Sequence, residues 1–512
     1  MTHHDARTHN EIGRLRQHAA KARRREYRYA LLAGICAVWA TVATVAGWYL
    51  YQSGDHMPAR TAHGELFHSL EALDQVVLSI ARETDALADL APNRLAALLD
   101  DVERAYAMPG SDLTPRDPHR QRRTAEVHIA LSHAHLALDE PDKAAVTAAR
   151  ARDGLERLDP SMPRDRDRLA VAYIAEGDGL LALGDVEEAV AAFSEAATVR
   201  GALSAAAPDD EDALHRLSIA YERHGQALDE LGEHSLAGSR FRQALAIRQQ
   251  LAAAGADADP AGHEALAIAH SNLGDHAARA GNPETALAHY RNALSVAEEL
   301  IERAPDDPAR LEAHAAHLAR IGRARIAVGE TAAGLDQLDA AAEIYSELSA
   351  REPDNLRRQG QLADLLMQAG DVRLADRSFP AARSAFTRAL DLRRHHAERG
   401  NADASAVQSY AEALFKLAQV DQAENIDESA RLRMGEALEL RRRLFEATPE
   451  DATAAAALAE TLRTAAEMGV EPQAHLQEAL AVLDRFGDDE SAHHAHQSLA
   501  EDIRQRLASY TQ

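Results

Sequence analysis

Apolar positions recur at helical spacing along most of the chain, and they do so in a longer repeating phase. In GNPETALAHYRNAL, Gly281 is followed at +5, +9 and +12 by Ala286, Tyr290 and Ala293. Steps of four and three are each about one helical turn, so these three residues share a helix face. The same spacing follows Gly184 (Ala189, Phe193, Ala196), Gly232 (Ala237, Phe241, Ala244) and Gly329 (Gly334, Leu338, Ala341). It continues after Arg377 (Ala382, Phe386, Ala389) and Asn425 (Ala430, Met434, Ala437). The leading positions are 48 or 49 residues apart, which marks a repeat array rather than a series of unlike domains.

A second marker stands seven residues before each of these: Gly177, Gly225, Gly274, Gly322, Gly370 and then Ala418. It falls inside helical patterns such as LAIAHSNLGDHAARA, where glycine costs about 1 kcal/mol relative to alanine. Recurrence at one phase requires a packing reason: a missing side chain lets the following helix approach and seats its aromatic ring. Each unit is therefore predicted to be two antiparallel helices joined by a short turn. Gly281 lies past the end of the first helix, where a left-handed conformation is needed. Pro208-Asp209-Asp210, Pro305-Asp306-Asp307, Pro353-Asp354-Asn355 and Pro449-Glu450-Asp451 follow the second helices. Asp307 is placed to cap the next helix and Pro308 suits its first turn.

The order small residue, seven to Gly, five to Ala, four to Phe or Tyr, three to Ala, then Pro resembles the tetratricopeptide repeat. The resemblance covers Leu169–Asp451. It extends to His128–Arg152, through Ser132, Asp139, Ala144 and Ala151, and to a shortened unit at Leu458–Asp484. The usual unit is about 34 residues. Here the extra residues follow the second-helix alanine, as in ALAIRQQLAAAGADADPAG, so the second helix is expected to be longer. The resemblance implies an all-α fold, a right-handed α-solenoid of antiparallel helix pairs, over 121–487 with a capping helix at 488–512. It also implies that the first helices line a concave groove that binds a protein or peptide partner. Carried onto this sequence, that groove includes Glu222, Gln226, Asp229, Asn272, Asp275, Arg279, Arg320, Arg323, Asp371 and Gln419. The best-known version of such a groove clamps a C-terminal carboxylate with Lys, Asn and Arg. Only Asn272 and Arg320 match that clamp, and Glu222 stands where one lysine would be, so the sequence departs from recognition of a chain terminus.

Ahead of the array the pattern changes. From Tyr29 to Gly54 no residue is charged, and 29–51 is long enough to cross a bilayer as one helix of about 20 residues. Tyr27 and Tyr29 at one end and Trp48, Tyr49 and Tyr51 at the other occupy the usual interfacial places. The basic block KARRREYR precedes the segment, which predicts a cytoplasmic tail at 1–28 and an array in the periplasm of a two-membrane bacterium. A signal peptide cut near Thr44-Val45-Ala46 is one alternative, but the apolar run continues through Trp48 and Leu50. The others are a twin-arginine signal at Arg24-Arg25, which Arg28 interrupts, and a buried soluble helix, which would not need the asymmetric charge flanks. Over 52–120, juxtamembrane helices lead into a linker. Leu66, Leu70, Leu73, Val77, Ile80 and Leu87 form a 4-3-4-3 ladder broken at Thr84. That spacing permits either a homodimeric coiled coil over 66–87 or a helix packed on the first repeat.

Charge and composition narrow the function. The net charge is −26, and residues 1–28 hold +5, which leaves −31 on the rest. So acidic a body repels phosphate backbones, which argues against nucleic acid and favours a mixed or basic partner. Cys36 is the single cysteine, so no disulfide forms within the chain. The tightest histidine groups are His133/His135, His314/His317 and His493/His494/His496. They lack a ligand set that fixes a metal geometry and read as solvated. No phosphate-binding loop, nucleophile elbow or HExxH motif is present. The expectation is a non-enzymatic scaffold without metal or cofactor, which helps assemble an envelope complex. The rivals are a receptor whose array senses a peptide and an inverted topology with a cytoplasmic array.

Overall fold

The computed structural model describes residues 118–159, 161–254, 260–398, 404–486 and 493–510. The expectations for the tail, the membrane segment, the coiled coil and the linker lie outside these residues, apart from 118–120. Among the described residues no helix is long and apolar enough to cross a membrane.

The chain divides into two compact units at Ala254/Gly255. Unit 1 contains α1 (Pro118–Ala137), α2 (Pro141–Glu156), α3 (Pro163–Leu183), α4 (Val186–Ala206), α5 (Glu211–Glu230) and α6 (His234–Ala254). Unit 2 contains α7 (Pro260–Arg279), α8 (Pro283–Arg303), α9 (Pro308–Ala327), α10 (Thr331–Arg351), α11 (Leu356–Ala375) and α12 (Phe379–Ala397). It continues with α13 (Ala404–Ala423), α14 (Asp427–Ala447), α15 (Ala452–Glu467), α16 (Pro472–Leu483) and α17 (His493–Tyr510). Odd-numbered helices up to α15 open a pair and even-numbered ones close it. Within each unit, helices pack on their sequence neighbours, giving an all-α, solenoid-like stack. The added length is not confined to the second helix: α7, α9 and α11 have 20 residues, against 21 in α8 and α10.

Each pair turns in the same way. Gly184, Gly232, Gly281 and Gly329 have φ between +74° and +93°, and Asp139, Arg377 and Asn425 take the same place at +59° to +61°. The following amide donates back across the turn, as from Asp185 to Leu180 O at 2.9 Å and from Asn282 to Ala277 O at 2.8 Å. These bonds satisfy carbonyls that the helix end leaves open. The second helices end at the acidic boundaries. Asp210 accepts from the Ala213 amide, Asp307 from Ala309, Asn355 from Arg358 and Asp451 from Thr453.

The glycine marker is a contact between helices. A Cβ on Gly177 would lie 2.7 Å from the Phe193 ring, on Gly274 2.4 Å from Tyr290, and on Gly370 2.5 Å from Phe386. At the next position of the series Ala418 is tolerated, opposite the unbranched, adaptable Met434. Where Leu338 replaces the ring the backbones themselves meet: a Cβ on Gly334 would lie 2.7 Å from the Gly322 carbonyl oxygen. Phe193, Phe241, Leu338 and Phe386 are fully buried as a result. Ala500 and Ile503 of α17 are buried in the same core as Leu476, Ala479 and Leu483 of α16.

Several histidines expected to be solvated are buried. His135 is fully enclosed, with Nδ1 2.8 Å from Glu140. His317 is also buried and shares a hydrogen bond with the Ser271 hydroxyl at 3.2 Å. The reason is repeat phase: His317 stands five residues before its marker, where other units place the buried Ala172, Ala220, Ala269, Leu365 and Ala413.

Candidate functional site: the first-helix face

Positions one residue after the glycine marker and two before it lie a turn apart on the first helix. Residues at these places meet across consecutive first helices. In unit 1, Arg223 of α5 reaches Asp178 of α3 at 3.7 Å. In unit 2, Arg320 of α9 binds Asp275 of α7 at 3.2 Å, and Asp275 also accepts the Tyr290 hydroxyl at 2.7 Å. Gln368 of α11 accepts from Arg323 of α9 at 3.2 Å, and Lys416 of α13 binds Asp371 of α11 at 2.9 Å. The partners in each rung are 45 residues apart, one repeat less the three-residue offset. A second line of pairs ties the helix starts: Arg122 with Asp165 at 2.7 Å, Arg216 with Asp167 at 3.4 Å and Arg358 with Glu312 at 3.2 Å.

The ten expected groove residues therefore have unlike surroundings. Glu222 is buried against Arg248 of α6 at 3.5 Å, and burial pushes its carboxyl above the usual range. Asp229 is buried at the turn, 3.1 Å from His234 Nδ1. Gln226 accepts from Arg223 at 3.5 Å. Asp275, Arg320, Arg323 and Asp371 are rung members, whereas Asn272 and Gln419 are half-buried and Arg279 is exposed near the end of α7. Reasoning from sequence missed Asp178, Arg223, Gln368 and Lys416. Their signal was available, since all four stand at the two rung phases, but it appears only when consecutive units are compared.

The rung side chains are exposed or half-buried, and two of them, Asp178 and Arg323, also feel desolvation. Arg323 is exposed, yet desolvation holds its guanidinium pKa down, with Arg320 adding to the effect. His133 of α1 is exposed and its pKa is also lowered by desolvation, while that of Asp178 is raised by it. In unit 2 this face presents guanidinium, ammonium, amide and carboxylate groups in a fixed order.

A second recurrent residue is structural. Sixteen residues after the helix-ending position stand Arg200, Arg248, Arg393 and Arg441. Arg200 donates to the Arg216 carbonyl, Arg393 to that of Ser409 and Arg441 to that of Ala457, each at 2.9 to 3.0 Å. Each bond joins a second helix to the next first helix. Arg393 also pairs with Asp364 at 2.8 Å, and Arg441 pairs with Glu412 while stacking over Phe415 at 4.9 Å.

No protein-family model and no curated protein matches the chain. Among solved structures it is similar to a Rap protein complexed with competence and sporulation factor, over 82% of this chain and 99% of that one, at 13% identity and TM-score 0.40. It is also similar to BtubC (BKLC) from P. vanneervenii, over 51% and 93%, at 17% identity and TM-score 0.38. A putative kinesin light chain from Podosopora anserina, with nearly identical TPR-like repeats, is similar over 45% and 98%, at 15% identity and TM-score 0.35.

Proposed function

We propose that the chain is a non-enzymatic scaffold that binds a protein or peptide partner on its first-helix face, anchored in the bacterial inner membrane through 29–51 with the array in the periplasm. The observation that supports binding is the rung face itself, where charged and amide side chains stand at two repeating positions of the first helices and stay exposed or half-buried. The anchor and the topology rest on the uncharged run Tyr29–Gly54 and the basic block before it. Assembly of an envelope complex is the role that such a layout serves.

Two measurements test this reading. A photo-crosslinking amino acid at Asn272 or Gln419 should capture a distinct partner in living cells, and Arg320→Glu with Arg323→Glu should remove that product. Capture of only this chain's own residues would sink the scaffold reading. Fusions after Gln512 should give active alkaline phosphatase and dark green fluorescent protein. The reverse pattern would overturn the periplasmic placement.

A further inference from the structure

The rungs of unit 2 follow a charge rule that one of them breaks. In the first and last, an aspartate just after the marker meets a cation on the next first helix: Asp275 with Arg320, and Asp371 with Lys416. In the middle rung the cation comes first, at Arg323, and the facing residue is the neutral Gln368. Arg320, engaged by Asp275, adds like charge beside Arg323, and the opposing influence of Tyr290 and of Asp275, which lies beyond ion-pair distance, does not reverse the lowered pKa of Arg323. Among the described residues no carboxylate lies within ion-pair reach of Arg323, and Gln368 takes one of its five N–H donors.

We propose that Arg323 is the anchor for an aspartate or glutamate side chain of the bound partner, which completes the middle rung from outside. This deepens the scaffold reading and rests on it. A guanidinium held beside an amide oxygen presents its remaining N–H groups in a planar fork that matches a carboxylate bidentately. Poor solvation strengthens the attraction, because less water must be displaced and the local dielectric is lower. Beyond the rungs the charge of the chain favours cations, since residues 29–512 carry the −31 excess. The occupant is therefore a segment with one acidic residue between basic flanks.

The test uses the full chain in detergent at physiological ionic strength, with short fluorescent peptides of Lys, Ala and Leu. The peptides carry a central Glu or Gln and are amidated, so that no terminal carboxylate is present. Anisotropy should show the Glu peptide binding about tenfold tighter than the Gln peptide, equivalent to about 1.4 kcal/mol. Arg323→Gln should remove the difference. Gln368→Glu should remove it too, by supplying the missing carboxylate from within, and should raise the melting temperature. Arg388→Gln, which changes an exposed cation on a second helix, should leave the difference intact. Equal binding of the two peptides to the wild-type chain overturns the anchor but leaves the scaffold reading standing, as does a preference that survives in Gln368→Glu. Failure of both peptides to bind counts against both.

Discussion

At Arg377 and Asn425 an L-residue occupies the left-handed conformation that Gly184, Gly232, Gly281 and Gly329 fill elsewhere. For a residue with a Cβ that conformation costs about 1 kcal/mol, somewhat less for asparagine. Arg377→Gly is therefore expected to stabilise the chain by up to about 1 kcal/mol, read as a raised urea midpoint, while Gly281→Ala lowers it by a similar amount. At the marker the constraint is contact rather than φ. Gly370→Ala drives a Cβ into the Phe386 ring and should cost about 1–3 kcal/mol. Combined with Phe386→Met it should cost less than the two single changes added, because Ala418 opposite Met434 already uses that solution. Additive costs would show that the ring does not set the glycine. These residues were legible in the sequence because each belongs to a local rule repeated at fixed spacing.

Between elements, the recurrent arginines hold helix pairs to their successors. Arg441 is almost fully enclosed, and removing it would break the bond from α14 to the Ala457 carbonyl of α15 and leave Glu412 only its 3.8 Å contact with Lys416. Arg441→Leu should lower stability by about 3 kcal/mol. Arg443→Leu, two residues on and exposed, removes only an i,i+4 pair with Glu439 and should change it by less than about 0.5 kcal/mol. Comparing the two urea midpoints checks this contrast. The 48-residue step from Arg200 to Arg248 and from Arg393 to Arg441 was present in the sequence. Its meaning was not, because an arginine on a helix reads as solvated until the next helix closes over it.

Across the whole molecule, buried histidines set the response to acid. Burial lowers His224 and His317 from 6.5 to about 4, with nearby arginines contributing. The folded chain therefore holds them neutral while the unfolded chain protonates them near 6.5, so falling pH draws protons to the unfolded state. Their contribution is fully present above pH 6.5 and is lost as pH drops toward 4, by up to about 3 kcal/mol each. Asp178 and Glu222, raised by burial, oppose this by favouring the protonated folded form. Denaturation at pH 7 and pH 5 should show the loss, and His317→Gln should reduce it. An unchanged pH profile in that variant would locate the sensitivity elsewhere.

The sequence by itself determined the helix pairs, their turns and the seat of each aromatic, because those depend on residues within one repeat and recur often enough to be read by comparison. Tertiary structure alone decided which polar residues of the first-helix face are spent. Glu222 turns inward to Arg248, Arg320 is held by Asp275, and Arg323 hydrogen-bonds an amide instead of a carboxylate. Those outcomes depend on how neighbouring helices are packed, between residues 26 apart for Glu222 and Arg248 and 45 apart for the two rung pairs. A side chain's pattern position shows which face it shares, but only the packed neighbour shows whether its charge is already matched.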